Sequence, residues 1–505
     1  MIYFVSKQIG LFDCFTYLSI EDSIKMLSQH NLIEYDCETI KSNKIPKSSA
    51  LDPHTGLLLL AQFGIGEDQI VVDISTVPIE SYKIIFENPE ITFIGHNLNF
   101  DIQWLFKHNI IIRTVYDTMI IEQLLHLGED NSKNATYNCI DSIIDVDYDK
   151  IWTEEEYDMY QYSLDHKYAL KTLIWKYLHI NIDKSVRGEI AHEGLTRRVI
   201  EYGAGDVTFL SKIRNKQLEQ LKSENLEKAA KLENACVIPI AYLTFCGAKI
   251  NTDKWILKSD KEKPKLDNLK NVIYKDVLDY YNDNKVDKPG NKPYVYAKHI
   301  IEGANNIKRE MEICRKYEIP NNAERIQELF EDKITYKWEV PFGYYNGVKK
   351  TFIPYVIKDN QGDLFSGFSN EIKVNNLNLS SSTQLIPLLT IMGVNCRTLD
   401  KKTKEEKDSF GKNTIALYAD KFKIVKDLGE YKQLAKQLNS FGPKFLEHLN
   451  PVTNRLHAQW HQLGTRTGRL SSSLPNLQQM PSDSYTRSCF VAENGNKWIS
   501  ADYQS

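Results

Sequence analysis

The chain has 505 residues, 42% of them hydrophobic and 26% charged, with a net charge of −4. That length exceeds a single core and predicts roughly three domains of about 150 residues each. The composition is that of a globular protein, without repeats, low-complexity segments or any apolar run near the ~18 residues of a membrane span. A near-neutral total does not exclude nucleic acid, because a binding groove needs only a local basic face. The eight cysteines include no CxxC pair and point to reduced thiols rather than disulfides or zinc. Residues 1–15 are apolar but lack a basic start and a small-residue cleavage site, so they read as a first strand and not a signal peptide.

Residues 32–39 predict a strand carrying Asp36 and Glu38; positions i and i+2 project from one face, so both carboxylates point the same way. Residues 57–63 and 70–74, separated by Gly64, Gly66 and Asp68, predict a hairpin continuing the same sheet. Residues 91–94 predict a short buried strand. His96-Asn97-Leu98-Asn99-Phe100-Asp101 follows, and then an apolar helical face of Trp104, Leu105 and Phe106, which puts Asp101 at a strand-to-helix junction. Residues 196–218 predict one helix, with Tyr202 and Asp206 at i and i+4 on one face. Gly203 and Gly205 lie between them. Each costs a helix interior roughly 1 kcal/mol relative to Ala, which predicts close approach of another element or a substrate.

Four carboxylates and a tyrosine thus come from three distant segments. Two Mg²⁺ ions about 4 Å apart need such a cluster of hard oxygen ligands, and serve to activate a water and to stabilise the leaving oxygen of a phosphodiester. The order and spacing of Asp36-x-Glu38, Asn97-x-x-Phe100-Asp101 and Tyr202-x-x-x-Asp206 resemble the three motifs of the DEDDy 3′→5′ exonucleases, which have a ribonuclease H-like fold. By that resemblance Asp36, Glu38, Asp101 and Asp206 bind two Mg²⁺ ions, with Mn²⁺ as a substitute, and Tyr202 orients the attacking water. Asp117 and Ile182-Asp183-Lys184 match the same family and read as scaffold; His96 reads as a satisfied loop histidine.

Residues 217–234 predict a long helix in which the sheet domain ends, near residue 225. An apolar stretch at 234–245, Gly247 to Asn251, and a charged helix at 255–280 follow. Residues 283–374 read as an insertion with its own small core; Asn346-Gly347 between β-prone runs predicts a hairpin. Ser381-x-x-Gln384 predicts a capping box opening a helix. Within 421–450, Tyr431, Leu434, Ala435 and Leu438 line one helical face, and Lys432 and Lys436 another, suited to phosphate contacts. His457 and His461 are four apart but precede a Gly-rich turn, and read as part of a strand rather than a zinc site.

Thr467-Gly468-Arg469-Leu470-Ser471-Ser472, Pro475-Asn476-Leu477-Gln478 and Trp498-Ile499-Ser500-Ala501-Asp502-Tyr503 resemble the opening of the palm in family A DNA polymerases. The resemblance, exonuclease motifs included, spans residues 25–282 and 375–505. It implies that Arg469, Gln478 and Arg487 contact DNA, testing duplex shape through minor-groove acceptors shared by all base pairs. Gln479 stands where the family usually has Asn. It implies that Asp502, with Tyr503, begins the polymerase metal site. One such carboxylate cannot hold two Mg²⁺ ions against a triphosphate, so the chain is expected not to polymerise, or to engage a dNTP, without a further part. A recoded stop codon, or an intein, intron or gene split, is the expectation for why the motif breaks off, and the lack of a preceding 5′-nuclease domain is the expectation for a phage-type replicative enzyme.

The implied architecture is α/β and α+β multidomain. It comprises a ribonuclease H-like exonuclease domain (1–225), a palm entry and first thumb helix (226–282), an insertion (283–374), a mainly helical thumb (375–455) and the N-terminal part of a palm (456–505). The implied function is proofreading in DNA replication by a monomeric, non-membrane protein of the cytoplasm, acting on primer–template and single-stranded 3′ ends; a processivity factor is left open. The competing expectations are a stand-alone DEDDy exonuclease acting on RNA and a non-catalytic DNA-binding truncation product. The palm motif argues against the first, and the full set of exonuclease carboxylates against the second.

Overall fold

The computed structural model describes residues 1–128, 153–186, 188, 190, 194–283, 377–399, 406–499 and 501, and strand backbone at 295–299, 326–330, 333–340, 343–346, 351–354, 356–359 and 371–374. The chain forms two compact units: Met1–Asn251 with Leu446–Ser505, and Thr252–Phe445.

The first unit opens with strands β1 (Ile2–Val5) and β2 (Thr16–Tyr17), helix α1 (Ile20–Leu27), then β3 (Leu32–Lys41), β4 (Gly56–Ile65) and β5 (Asp68–Asp73). Helix α2 (Lys83–Phe86), β6 (Thr92–Gly95), α3 (Leu98–Lys107), β7 (Thr114–Asp117) and α4 (Thr118–Leu125) follow. After them come α5 (Glu154–Asp165), α6 (Leu170–Leu178), α7 (Arg197–Val207), α8 (Leu210–Ser223), α9 (Glu227–Cys246) and β8 (Ala248–Lys249). Seven strands make one mixed sheet in the order β2-β1-β5-β4-β3-β6-β7. β3, β4 and β5 form an antiparallel meander, and β6 and β7 run parallel to β3.

The apolar runs in β4 and β5 reflect a sheet covered on both faces, where alternation of polar and apolar residues is not required. Successive side chains still alternate: Ile70 and Val72 enter one core, and Val71 enters the other. The first core holds the rings of Tyr35, Phe63, Phe86 and Phe93, with Tyr35 and Phe86 centred 5.0 Å apart and Phe86 and Phe93 5.1 Å apart. The second is closed by Val199, Ile200 and Ala204 of α7. The expected hairpin is present, but its strands run further into the turn, to an Ile65–Asp68 pair. Gly66, with φ of +67°, supplies the left-handed backbone there.

Two expected helices are each broken. The one expected over 196–218 ends at Val207, where the Thr208 N–H turns back to the Gly205 carbonyl, and α8 starts at Leu210. The one expected over 217–234 breaks at Asn225, whose φ of +58° no helix interior adopts, and α9 runs on to Cys246. The C-terminal segment adds to this unit: Arg455–Leu456 pairs with β8, and Gln459–His461 pairs with Ser471–Ser473.

The second unit packs a long helix, Thr252–Asp283, with Ser382–Ile391, Lys412–Tyr418 and Lys423–Phe441. Ile273, Val277, Leu385, Leu388, Val425 and Leu428 are central to its core. The expected capping box at Ser381 does not form. Ser381 is the N-cap without a side-chain bond, and the Gln384 side-chain Oε1 accepts from the Asn378 N–H at 2.7 Å. The expected Asn-Gly hairpin appears as Gly343–Asn346 paired with Thr351–Pro354; its turn lies outside the described residues. Among the described residues, no helix is long and apolar enough to cross a membrane.

Glu122 joins three helices of the first unit. Its buried carboxylate accepts from Lys176 (2.5 Å), the Tyr177 hydroxyl (2.8 Å) and the Gln217 amide (2.8 Å), and lies 3.3 Å from His126. Burial alone would raise its pKa, but His126, Lys176 and Gln217 together pull it down to about 2. Glu122→Ala leaves the buried Lys176 ammonium without its countercharge and is expected to cost about 3–5 kcal/mol in urea unfolding at neutral pH. A depressed carboxylate stabilises above its ordinary value near 4.5 and loses that contribution as pH falls toward about 2. The gap between wild type and Glu122→Gln should therefore narrow over that window.

Candidate metal centre

The site is built where strands of unequal length leave an edge open. β3 pairs with β6 only from Leu32 to Glu34, because β6 ends at Gly95. The Cys37 N–H, three residues further on, is taken by Asp101 Oδ1 at 3.1 Å. Cys37 lies between Asp36 and Glu38, so this bond fixes the Asp101 carboxylate, 2% exposed, behind both.

Asp117 aims the start of α3. Its carboxylate accepts from the N–H groups of Asn97 (3.0 Å) and Leu98 (2.7 Å), and it caps α4 through Met119 and Ile120. Asn97 adopts the left-handed conformation, φ +65° and ψ +45°, at this junction. Asp117 is fully buried and committed to backbone, which agrees with a scaffold reading. His96 shares a hydrogen bond of 3.0 Å with the Thr118 hydroxyl, and burial and nearby Lys184 hold its pKa down at about 3, so the ring is neutral.

Across β3, α7 supplies Asp206 and Tyr202. Carboxylate oxygens of Asp36, Glu38 and Asp206 all lie within 4.8 Å of one another. Burial raises the Asp36 pKa well above the ordinary range, and repulsion from Asp101, Asp206 and Glu38 adds to it. Burial also raises Asp101, to about 7, against the hydrogen bond from Cys37. Oxygens so placed hold their charge at low cost only with cations among them. The donor set is all hard oxygen, which suits Mg²⁺ or Mn²⁺ rather than a soft metal.

Three residues that the motifs did not single out complete the surroundings. Gln62 of β4 is the cross-strand partner of Asp36; it is fully buried, and among the described residues neither its amide nitrogen nor its amide oxygen has a partner. A Cβ at Gly203 would stand 2.5 Å from its amide nitrogen, so this glycine admits Gln62 beneath α7; Gly205 faces open space. Glu34 continues the carboxylate face of β3 inward; burial raises its pKa, opposed by a bond from Ser211. Lys184 donates to Asp206 Oδ1. A period-2 reading of β3 finds Glu34, but Gln62 and Lys184 depend on pairing register and on the path of a loop.

The other expected site residues lie elsewhere. Arg469, Gln478 and Arg487 are exposed on the C-terminal segment of the first unit. The Gln478 amide donates to the Leu470 carbonyl at 2.9 Å, bracing the turn that presents Arg469. His457 and His461 fall on extended chain, with partners at Thr453 and Ser473, and not on a helix. In the second unit Lys432 is half-buried, 4.5 Å from the centre of the Phe410 ring and donating to the Phe410 carbonyl, while Lys436 is exposed. Asp502 and Tyr503 lie outside the described residues.

Comparison with known proteins gives two family matches: 3′–5′ exonuclease over residues 15–222, and DNA polymerase family A over residues 360–505. DNA polymerase I of Borreliella burgdorferi is 36% identical over 104 residues, 20% of this chain and 12% of that protein. DNA polymerase I of Chloroflexus aurantiacus is 40% identical over 86 residues, 16% of this chain and 9% of that protein. The thermostable DNA polymerase I of Thermus aquaticus is 32% identical over 130 residues, 25% and 16%. The matched stretches thus span only a small part of these curated relatives. Among solved structures, Brucella melitensis NrnC aligns over 49% of this chain and 95% of its own at 19% identity, with a TM-score of 0.33.

The two glycines of α7 separate by experiment. Gly205→Ala should raise stability by up to about 1 kcal/mol through helix propensity alone. Gly203→Ala drives a methyl into Gln62 and should lower it by about 1–3 kcal/mol. Urea midpoints of the two variants check this; equal shifts would mean that Gln62 does not need the glycine.

Proposed function

From the membership of this chain in family A of the DNA polymerases, with a 3′–5′ exonuclease domain, we propose that Asp36, Glu38, Asp101 and Asp206 form a two-metal nuclease centre that trims DNA 3′ ends during replication. The convergence of three carboxylates from β3 and α7 within 4.8 Å carries this reading. Two Mg²⁺ ions, with Mn²⁺ as substitute, would be held by those four residues and would supply an activated water and stabilisation of the leaving oxygen. Tyr202, one helical turn before Asp206, positions the attacking water through its hydroxyl. The water oxygen bonds to phosphorus as the bond to the preceding 3′-oxygen breaks, releasing a nucleoside 5′-monophosphate. Asp101, fixed on the Cys37 N–H, holds its carboxylate in place without rearrangement as charge develops.

The remaining assignments rest on the family motif. Arg469, Gln478 and Arg487 contact primer–template, Lys432 and Lys436 its phosphates, and Asp502 with Tyr503 belongs to a polymerase metal site. We assign the chain proofreading of DNA 3′ ends and expect a monomer on DNA.

Purified chain incubated with Mg²⁺ and a 5′-labelled single-stranded DNA should shorten it from the 3′ end. Asp36→Ala with Glu38→Ala should lower the rate at least about 10³-fold. Persistence of the activity in the double variant would overturn the site assignment. Faster removal from an RNA 3′ end than from DNA would replace proofreading with RNA processing.

A further inference from the structure

A cation already sits among the carboxylates. Lys184 lies on the irregular segment between α6 and α7, with its side chain three-quarters buried. Its ammonium donates to Asp206 Oδ1 and, at 3.4 Å, to the Tyr202 hydroxyl, and stands 5.1 Å from the centre of the Tyr202 ring. Its charge also reaches Asp36, where it opposes the effect of burial and of the neighbouring carboxylates. One residue therefore touches the helix partner of the site and acts on the strand partner.

We propose that Lys184 is the resident counter-cation of the centre: it neutralises the carboxylate cluster before divalent ions enter, and binding of those ions requires its ammonium to leave Asp206. This rests on the metal-binding reading of Asp36, Glu38 and Asp206. Half-buried and buried carboxylates grouped at this spacing repel one another, and a positive charge among them relieves that repulsion. The same charge repels an incoming divalent ion and occupies an oxygen that the ion needs. Lys184 thus stabilises the metal-free fold and weakens metal affinity, two effects of opposite sign that a residue with only a packing role does not produce. The Tyr202 hydroxyl, already a hydrogen-bond partner at 3.4 Å, is placed to receive the displaced ammonium.

The test uses the full chain without nucleic acid. Mn²⁺ is titrated by calorimetry into wild type, Lys184→Met, Lys184→Gln and Lys184→Arg, and melting temperatures are taken with chelator and with saturating Mn²⁺. Lys184→Met and Lys184→Gln should bind Mn²⁺ roughly ten-fold more tightly or better, melt lower than wild type in chelator, and gain more on adding Mn²⁺. Lys184→Arg, which keeps the charge, should bind as weakly as wild type. Lys184→Gln, which keeps a donor for Asp206, guards against a misfolded methionine variant. Unchanged or weaker Mn²⁺ binding in both neutral variants overturns the proposal while leaving the metal centre standing, as does an arginine variant that behaves like them. Absence of Mn²⁺ binding in wild type and in all variants overturns the metal centre and the proposal with it.

Discussion

Mutual repulsion among carboxylates is the constraint around which the first unit is built. Asp36 and Glu38 leave one strand side by side, Asp206 comes down from α7, and Asp101 stands behind them on the Cys37 N–H. Lys184 on Asp206 relieves only part of that repulsion, so rigid surroundings hold the carboxylates together. The sheet is buried on both faces, and the four rings around Tyr35 and Phe86 leave β3 no freedom to relax. Asp117, wholly occupied by backbone N–H groups, fixes the turn that delivers Asp101. Packing free energy spent on one side of the sheet thus sustains unfavourable electrostatics on the other, a division of labour common at functional sites.

How much of this was legible in the sequence varies from residue to residue, for physical reasons. Asp36 and Glu38 share a face because a strand repeats every two residues, and Tyr202 and Asp206 because a helix repeats every 3.6; neither inference needed tertiary information. Asp101 was readable as a residue of a strand-to-helix junction, but its partner was not. The Cys37 N–H is free only because β6 stops at Gly95, and strand ends are set by pairing rather than local preference. The split of one expected helix at Thr208 and of another at Asn225 has the same origin, since apolar periodicity continues across both breaks.

Lys184 was read as scaffold because its significance lies in where a loop returns. Gln62 gave no sign in a run of apolar β4 residues, since only the register with β3 sets it opposite Asp36. The glycine at 203 hinted at close approach, and the structure identifies the visitor as a side chain of the sheet. Ser381 shows the reverse error: a correct capping pattern at a correct helix start, with the Gln384 side chain bonded to the Asn378 N–H and not to Ser381.

The first unit is assembled from both ends of the chain. Ala248–Lys249 pairs with Arg455–Leu456, the Asn450 amide reaches Asp52 at 2.7 Å, and Gln462 bonds Glu233. A ribosome that has made the first 251 residues has therefore not yet made the strand that β8 needs. For the whole time in which the intervening 194 residues of the second unit (252–445) emerge, that edge awaits its partner strand and Asp52 the Asn450 amide. The seven-stranded sheet can close early, but its outer wall is a late product of translation, and an insertion into the second unit lengthens that wait without touching the sheet.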